Sequence, residues 1–246
     1  GATGNRHQIE TMTGGVAVLD FDQDGLLDLF FVNGARSPSL DKSGAEFRNR
    51  LYRNEGGWRF TDVTDTAGVG GTGYGMGVAA GDYNNDGFPD LYVTGVRGNT
   101  LYRNNGDGTF RDVTSFTGTA GLQIEGESQW AVAAAWLDYD NDGHQDLFVV
   151  NYVAWDPARE PFCGDSEKQY RTYCHPKYYP GLPNVLYRNR GDGTFTDVSS
   201  QVRISELRGK GMGVAIADYD GDGWMDIFVA NDAVPDFLFR NEGGGR

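Results

Sequence analysis

Four nine-residue stretches concentrate the oxygen-bearing side chains of this 246-residue chain: DFDQDGLLD at 20–28, DYNNDGFPD at 82–90, DYDNDGHQD at 138–146 and DYDGDGWMD at 218–226. Positions 1, 3, 5 and 9 hold Asp20, Asp22, Asp24 and Asp28 in the first, and Asp82, Asn84, Asp86 and Asp90 in the second. They hold Asp138, Asp140, Asp142 and Asp146 in the third, and Asp218, Asp220, Asp222 and Asp226 in the fourth. Like charges about 4 Å apart in water repel by on the order of 1 kcal/mol per pair. A bound cation reverses that sign. Oxygens at 1, 3 and 5, a glycine at 6 for a sharp turn, a backbone carbonyl at 7 and an Asp at 9 able to bind through both oxygens describe a hard-cation cage. Six or seven oxygens at flexible distances favour Ca²⁺ over Mg²⁺. The position-7 carbonyls belong to Leu26, Phe88, His144 and Trp224. About four Ca²⁺ ions are expected, the second held more weakly because Asn84 supplies a neutral oxygen.

Other uses of so many carboxylates fit less well. A helix-loop-helix calcium hand requires Glu at position 12, where this chain has Phe31, Val93, Val149 and Val229. Solvated Asp-Gly turns account for one such stretch but not for four at one spacing. Paired acids of the glycosidase kind are better explained by the cation. Fifteen of the 35 acidic residues lie in these loops, so four Ca²⁺ would move the formal net charge from −14 to −6. The acidity is thus largely a property of the cation sites. It also argues against nucleic acid and anionic membrane as partners, since both are polyanions.

The elements that hold the loops repeat with them. Small and apolar residues precede each loop (GGVAVLD, MGVAAGD, AVAAAWLD, MGVAIAD), and an apolar run follows it (LFFVNG, LYVTG, LFVVNY, IFVAND). These flanks are too short for helices and read as strands. Further strands follow in LYRN at 51, 101 and 186, with LFRN at 238, and in WRFTDVT, GTFRDVT and GTFTDVS. The class is therefore all-β in four-stranded units, in keeping with 37 glycines, 8 prolines and 13% aromatic residues. The runs after the loops are apolar on both faces and need cover on both sides. Stacking as the blades of a β-propeller provides it, and Ala79, Ala80, Ala133 and Ala134 suit the crowded strand nearest the axis. The expected organisation across 1–246 is a single β-propeller domain or part of a larger one, with blades at about 13–66, 75–116, 130–200 and 211–246. The last blade is expected to be incomplete, because the chain stops at RNEGGGR where a fourth strand should begin. Either the stretch from His7 to Met12 closes a four-bladed ring, or the chain is part of a longer propeller, which is the favoured expectation.

The unit GMGVAAGDYNNDGFPDLYVTG, continued by NTLYRNNGDGTFRDVT, resembles the FG-GAP or VCBS repeat of integrin α-chain propellers. With YCHP, LYRNRGDGTFTDVS and VANDAVPDFLFRN, the tandem pattern is similar to the N-terminal repeats of the ASPIC/UnbV group, which includes cartilage acidic protein. The resemblance covers nearly the whole chain. It implies a secreted, calcium-binding β-propeller, usually longer than this and often seven-bladed.

An insertion at about 155–184, between the second and third strands of the third unit, carries both cysteines and four tyrosines. A disulfide between Cys163 and Cys174 is expected there. It would contribute roughly 2–3 kcal/mol in the chain-entropy model and imply an oxidising compartment. A haem reading of YCHP fails because Arg171 stands where a second cysteine is needed. Zinc would lack a fourth ligand beyond Cys163, Cys174 and His175. A loop this long either serves recognition or packs on an adjacent blade or subunit. Trp58, Trp130, Trp136, Trp155 and Trp224 read as core or blade contacts before sugar platforms.

No Ser-His-Asp spacing, nucleophile elbow or phosphate loop appears, and His7, His144 and His175 are scattered, so no catalytic residue is assigned. No run of 18 apolar residues suggests a membrane span. The N-terminus reads as that of a processed or excised chain, with neither a signal peptide nor an initiator Met. The function expected is an extracellular, cell-surface or periplasmic calcium-binding module for adhesion, matrix assembly or protein binding, with an unidentified protein or glycan ligand. Two alternatives stand beside it: the catalytic or non-catalytic propeller of a carbohydrate-active enzyme, and a homo-oligomer or surface-filament subunit completed by strand addition at the last blade.

Overall fold

The computed structural model describes residue 4 and residues 6–121, 129–168 and 170–244. Each Asp-rich stretch closes a hairpin between the first two strands of an antiparallel sheet. The first sheet runs β1 (Val16–Leu19), β2 (Asp28–Phe31), β3 (Arg50–Asn54) and β4 (Phe60–Asp62) in sequence order. The second repeats it with β5 (Tyr74–Gly81), β6 (Asp90–Val96), β7 (Thr100–Asn104) and β8 (Phe110–Asp112). The third begins with β9 (Ala131–Leu137) and β10 (Asp146–Asn151). The insertion then forms β11 (Gly164–Asp165), β12 (Tyr170–Arg171) and β13 (Leu182–Pro183), before β14 (Val185–Asn189) and β15 (Phe195–Asp197) complete the sheet. A short β16 (Arg208–Gly209) pairs with β13. The last sheet has three strands among the described residues: β17 (Gly211–Ala217), β18 (Asp226–Asn231) and β19 (Phe237–Phe239).

The hairpin register is the same at every loop. Leu19 pairs with Asp28, Gly81 with Asp90, Leu137 with Asp146 and Ala217 with Asp226, so position 9 is always the first residue of the returning strand. The reversal needs left-handed backbone at position 6, where Gly25, Gly87, Gly143 and Gly223 have φ between 85° and 90°. Glycine adopts that region without a Cβ clash. The outer corner has its own fastening in the DVT and DVS motifs. Thr64, Thr114 and Ser199 each accept a hydrogen bond from the backbone of the third strand, at Leu51, Leu101 and Leu186, and donate to Asp62, Asp112 and Asp197.

First strands of successive sheets lie side by side. Gly15 N–H donates to the Met76 carbonyl at 2.6 Å, and a Cβ on Gly77 would collide with the Val132 carbonyl oxygen. Between the sheets the core is aromatic and aliphatic: Phe21, Phe30, Leu91 and Phe110 join the first pair, and Tyr83, Tyr92, Leu147 and Phe195 the second. Cover on both faces is complete for β6 and β10, all of whose residues are buried. It is incomplete at the two ends. Phe31 on β2 and Phe228 on β18 are exposed, along with Val16, Val18, Met212 and Leu238, because no further described sheet lies beyond them.

The insertion packs inward through Trp155, Cys174, Tyr179 and Leu182, all buried, while Phe162, Tyr170 and Tyr178 are exposed. Cys163 and Cys174 are bonded, which removes both from any zinc reading, and His175 Nδ1 accepts from the Lys177 N–H. The segment from His7 to Met12 does not add a strand to the last sheet. It makes a single 3₁₀ turn, Gln8–Thr11, held by Glu160 of the insertion: His7 Nδ1 pairs with that carboxylate, and Gln8 N–H and Tyr179 O–H donate to it at 2.6 and 2.8 Å. Trp130 and Trp155 are fully buried, as read from the sequence. Trp58 is not. It stands 95% exposed at the β3–β4 turn in left-handed conformation, where no neighbouring element reaches it.

Candidate metal centre

The hairpin register brings the side chains of positions 1, 3 and 9 together. In the first, third and fourth loops one carboxylate oxygen from each of Asp20, Asp22 and Asp28, of Asp138, Asp140 and Asp146, and of Asp218, Asp220 and Asp226 lies within 4.8 Å of the others. In the second loop Asp82, Asn84 and Asp90 occupy the same positions, and Asn84 donates to Asp86 Oδ2 at 2.8 Å.

Each position has a separate structural role. At position 1 the carboxylate caps the turn: Asp20, Asp82, Asp138 and Asp218 each accept the N–H of positions 5 and 6, at 2.8–3.1 Å. At position 5, Asp24, Asp86, Asp142 and Asp222 turn Oδ1 to the N–H of Leu26, Phe88, His144 and Trp224, so these aspartates stand outside the trios. The side chains of Leu26, Phe88, His144 and Trp224 lie against Gly56, Gly106, Gly191 and Gly243 of the next turn in the same sheet. At position 9, Asp28, Asp90, Asp146 and Asp226 are buried, and each accepts two backbone N–H groups. One comes from position 2 of its own loop and the other from Asn54, Asn104, Asn189 or Asn241 at the end of the third strand.

Position 3 is the point of electrostatic tension. Asp22 Oδ1 and Asp140 Oδ1 are buried with no hydrogen-bond partner, and the Asp140 side chain is only 10% exposed. A buried carboxylate oxygen without a donor is costly. Burial first, and then the neighbouring Asp24 or Asp142, raises both carboxyls above their ordinary range. Burial likewise raises Asp28, and pushes Asp90 and Asp146 up to about 7 against the opposing pull of their two backbone donors. A divalent cation among these oxygens supplies the missing positive charge, and the donor set of carboxylates and carbonyls is that of a hard ion. The residues present therefore fit calcium.

Arginine at the third strand was legible only as part of the repeated LYRN and LFRN. Arg188 Nε lies 2.7 Å from Asp140 Oδ2, and Arg240 Nε 2.7 Å from Asp220 Oδ2, with second contacts to Asp142 and Asp222. Arg53 turns instead to Glu55, at 2.6 Å. The adjacent asparagines were missed for the same reason. A repeated polar residue at a strand end carries no sign of its partner until the sheets are assembled.

The sequence pattern of the FG-GAP-like repeat matches residues 20–93, 82–149 and 179–229. Cartilage acidic protein 1 of Xenopus tropicalis is 28% identical over 230 residues, covering 92% of this chain and 32% of that protein. Its human counterpart is 45% identical over 49 residues, covering 20% of this chain and 7% of that protein. This chain thus spans about a third of the length of the Xenopus relative. Among solved structures, an Agrocybe aegerita lectin described as recognising non-reducing terminal N-acetylglucosamine aligns over 95% of this chain and 51% of its own, at 19% identity and a TM-score of 0.47. The Photorhabdus luminescens Tc holotoxin pore aligns over 96% of this chain and 9% of its own, at 19% identity and a TM-score of 0.37.

Proposed function

The chain belongs to the FG-GAP-like repeat family, and from that premise we propose that it is a calcium-stabilised β-propeller segment that acts outside the cell by binding rather than by catalysis. The observation that carries this reading is the recurrence of one oxygen trio at one hairpin register, with Asp22 Oδ1 and Asp140 Oδ1 buried and unpartnered. Positions 1, 3, 5 and 9 of each loop would hold the ion by side chain and position 7 by its carbonyl, the trio at 1, 3 and 9 being already gathered in the first, third and fourth loops. Calcium there would supply positive charge to carboxylates that the fold otherwise compensates only in part, through backbone donors and, in the third and fourth loops, an arginine. The aspartates at positions 1 and 9 cap the loop and its first two strands, so metal affinity becomes folding free energy.

The propeller reading is supported by the side-by-side first strands and by the two open end faces, which are suited to further sheets of the same kind. The extracellular reading is supported by the Cys163–Cys174 disulfide and by the similarity to cartilage acidic protein. No helix among the described residues is long and apolar enough to cross a membrane. Adhesion or matrix assembly, with a protein or glycan ligand, is the role this architecture suits.

Thermal unfolding in excess CaCl₂ and after chelation tests the metal. At free calcium of about 100 times Kd, each site adds about 2.7 kcal/mol. At about 2–4 °C of Tm per kcal/mol for a domain this size, several sites together give an expected loss of at least about 10 °C. An unchanged Tm after complete cation removal refutes the reading.

A further inference from the structure

Hydrogen bonds around the four loops do not stop at the edge of each sheet. In the first loop Phe21 N–H donates to Asp28 Oδ2, and the Phe21 carbonyl accepts from Asn104 Nδ2 of the second sheet at 2.8 Å. The Asn104 N–H donates to Asp90 Oδ1, whose Oδ2 accepts from Tyr83 N–H. The Tyr83 carbonyl accepts from Asn189 Nδ2 of the third sheet at 2.8 Å, the Asn189 N–H donates to Asp146 Oδ1, and Asp146 Oδ2 accepts from Tyr139 N–H. The Tyr139 carbonyl accepts from Asn241 Nδ2 at 2.7 Å, and Asn241 N–H donates to Asp226 Oδ1. One track thus joins the position-9 carboxylates of all four loops through Asn104, Asn189 and Asn241, each of them buried.

A second track crosses the surface. The position-4 amides of Gln23, Asn85 and Asn141 donate to the position-6 carbonyls of the next loops, Gly87, Gly143 and Gly223, at 2.6, 3.3 and 3.1 Å. Those three residues hold left-handed backbone, with φ of 60°, 55° and 56°, which glycine adopts with less strain. Glycine stands at position 4 only in the fourth loop, as Gly221, where no described loop follows. The carbonyl each amide holds belongs to the peptide whose N–H fastens the position-5 aspartate of that next loop.

We propose that the cation loops are coupled along these tracks, so that an ion in one loop raises the affinity of its neighbours, with Asn104, Asn189 and Asn241 as positioning residues. The proposal rests on the calcium reading above. An ion that fixes Asp90 also fixes the N–H groups of Tyr83 and Asn104. Tyr83 and Asn104 in turn hold the asparagine of the following sheet and the position-2 carbonyl of the preceding one. Packed interiors transmit such constraints because they do not deform continuously, and stacked repeats pass them between nearest neighbours.

His144 makes the third loop separately observable. In the whole chain, stripped of cations and titrated with CaCl₂, the His144 ring Cε1–H resonance follows the third loop, and midpoints with and without D82A are compared within each Asn85 background because Asn85 Nδ2 of the second loop lies 3.5 Å from His144 Nδ1. D82A disables the second loop and leaves every ligand of the third in place. The expected result is a His144 midpoint at least about fivefold higher in calcium, and loss of that shift when N85A and N189S cut both tracks between the second and third sheets. A midpoint unmoved by D82A overturns the coupling. Should N189S prevent folding, N85A alone is expected to reduce the shift, and an unreduced shift overturns the role of the surface track. A wild-type chain that takes up no calcium overturns the calcium reading together with the coupling, and is told apart by a flat His144 titration in every variant.

Discussion

Asp146 offers a direct measure of what the metal-free loop costs. Its carboxyl is buried at the base of the third loop, accepts N–H groups from Asn189 and Tyr139 at 2.7 and 3.0 Å, and is pushed by burial from the ordinary 3.8 to about 7. A folded-state pKa above the unfolded one means that the folded chain holds the proton more tightly. That stability is fully present below about pH 4 and is lost as pH rises through about 7. About 2 pH units separate pH 5 from the folded value of about 7, and at about 1.4 kcal/mol each they make the loss between pH 5 and 8 about 3 kcal/mol, or about 6–12 °C of Tm for a domain of this size. The expectation is therefore a metal-free chain that melts higher at pH 5 than at pH 8, with calcium restoring Tm at pH 8. General self-repulsion of an acidic chain gives a slope of the same sign, so D146N isolates the group: it keeps the shape, removes the charge, and should flatten the pH dependence by up to about that amount. Differential scanning calorimetry of cation-stripped wild type and D146N between pH 5 and 8 reads it. Equal slopes in the two proteins would refute the reasoning.

Two comparisons within the repeat test the sheet-to-sheet fit. Both asparagines accept a turn N–H at Oδ1, but Asn104 Nδ2 donates to Phe21 of the neighbouring sheet and to Pro89 of its own, whereas Asn54 is only half-buried and its Nδ2 donates to Leu27 alone. N104A should therefore cost about 2–4 kcal/mol, by leaving buried carbonyls unsatisfied, and N54A about 1 kcal/mol or less; equal urea midpoints for the two variants would contradict this. Gly77 and Gly213 hold the same place in MGV, but a Cβ at 77 meets the Val132 carbonyl while one at 213 meets nothing within 4 Å. G77A should lower stability by about 1–3 kcal/mol and G213A should leave it within about 0.5 kcal/mol, as judged by thermal melts.

Much of this was legible along the chain because it depends on local spacing. The loops could be read because a hairpin's register is set by residues within nine positions of one another, and the flanking strands because their apolar runs are short and repeated. Cys163 and Cys174 pair across a separation of 11 residues within one insertion. The second-strand burial was legible for β6 and β10 and failed for Phe31 and Phe228, since cover depends on a neighbouring sheet that the local pattern does not describe.

What lay beyond the sequence is what joins distant segments. Asp24 and Asp22 are chemically alike, yet hairpin closure sends one to a backbone N–H and leaves an oxygen of the other buried without a donor. Asn104 and Asn54 stand in the same motif, and only assembly gives Asn104 a carbonyl 83 residues away. Glu160 could be read as a surface acid in a long loop, until the fold brings it against His7, Gln8 and Tyr179. By itself the sequence determined which atoms each loop offers to a cation, because those lie within one turn of chain. Only the tertiary structure decided which of them remain unsatisfied and how one loop is tied to the next, because those depend on the packing of one sheet against another.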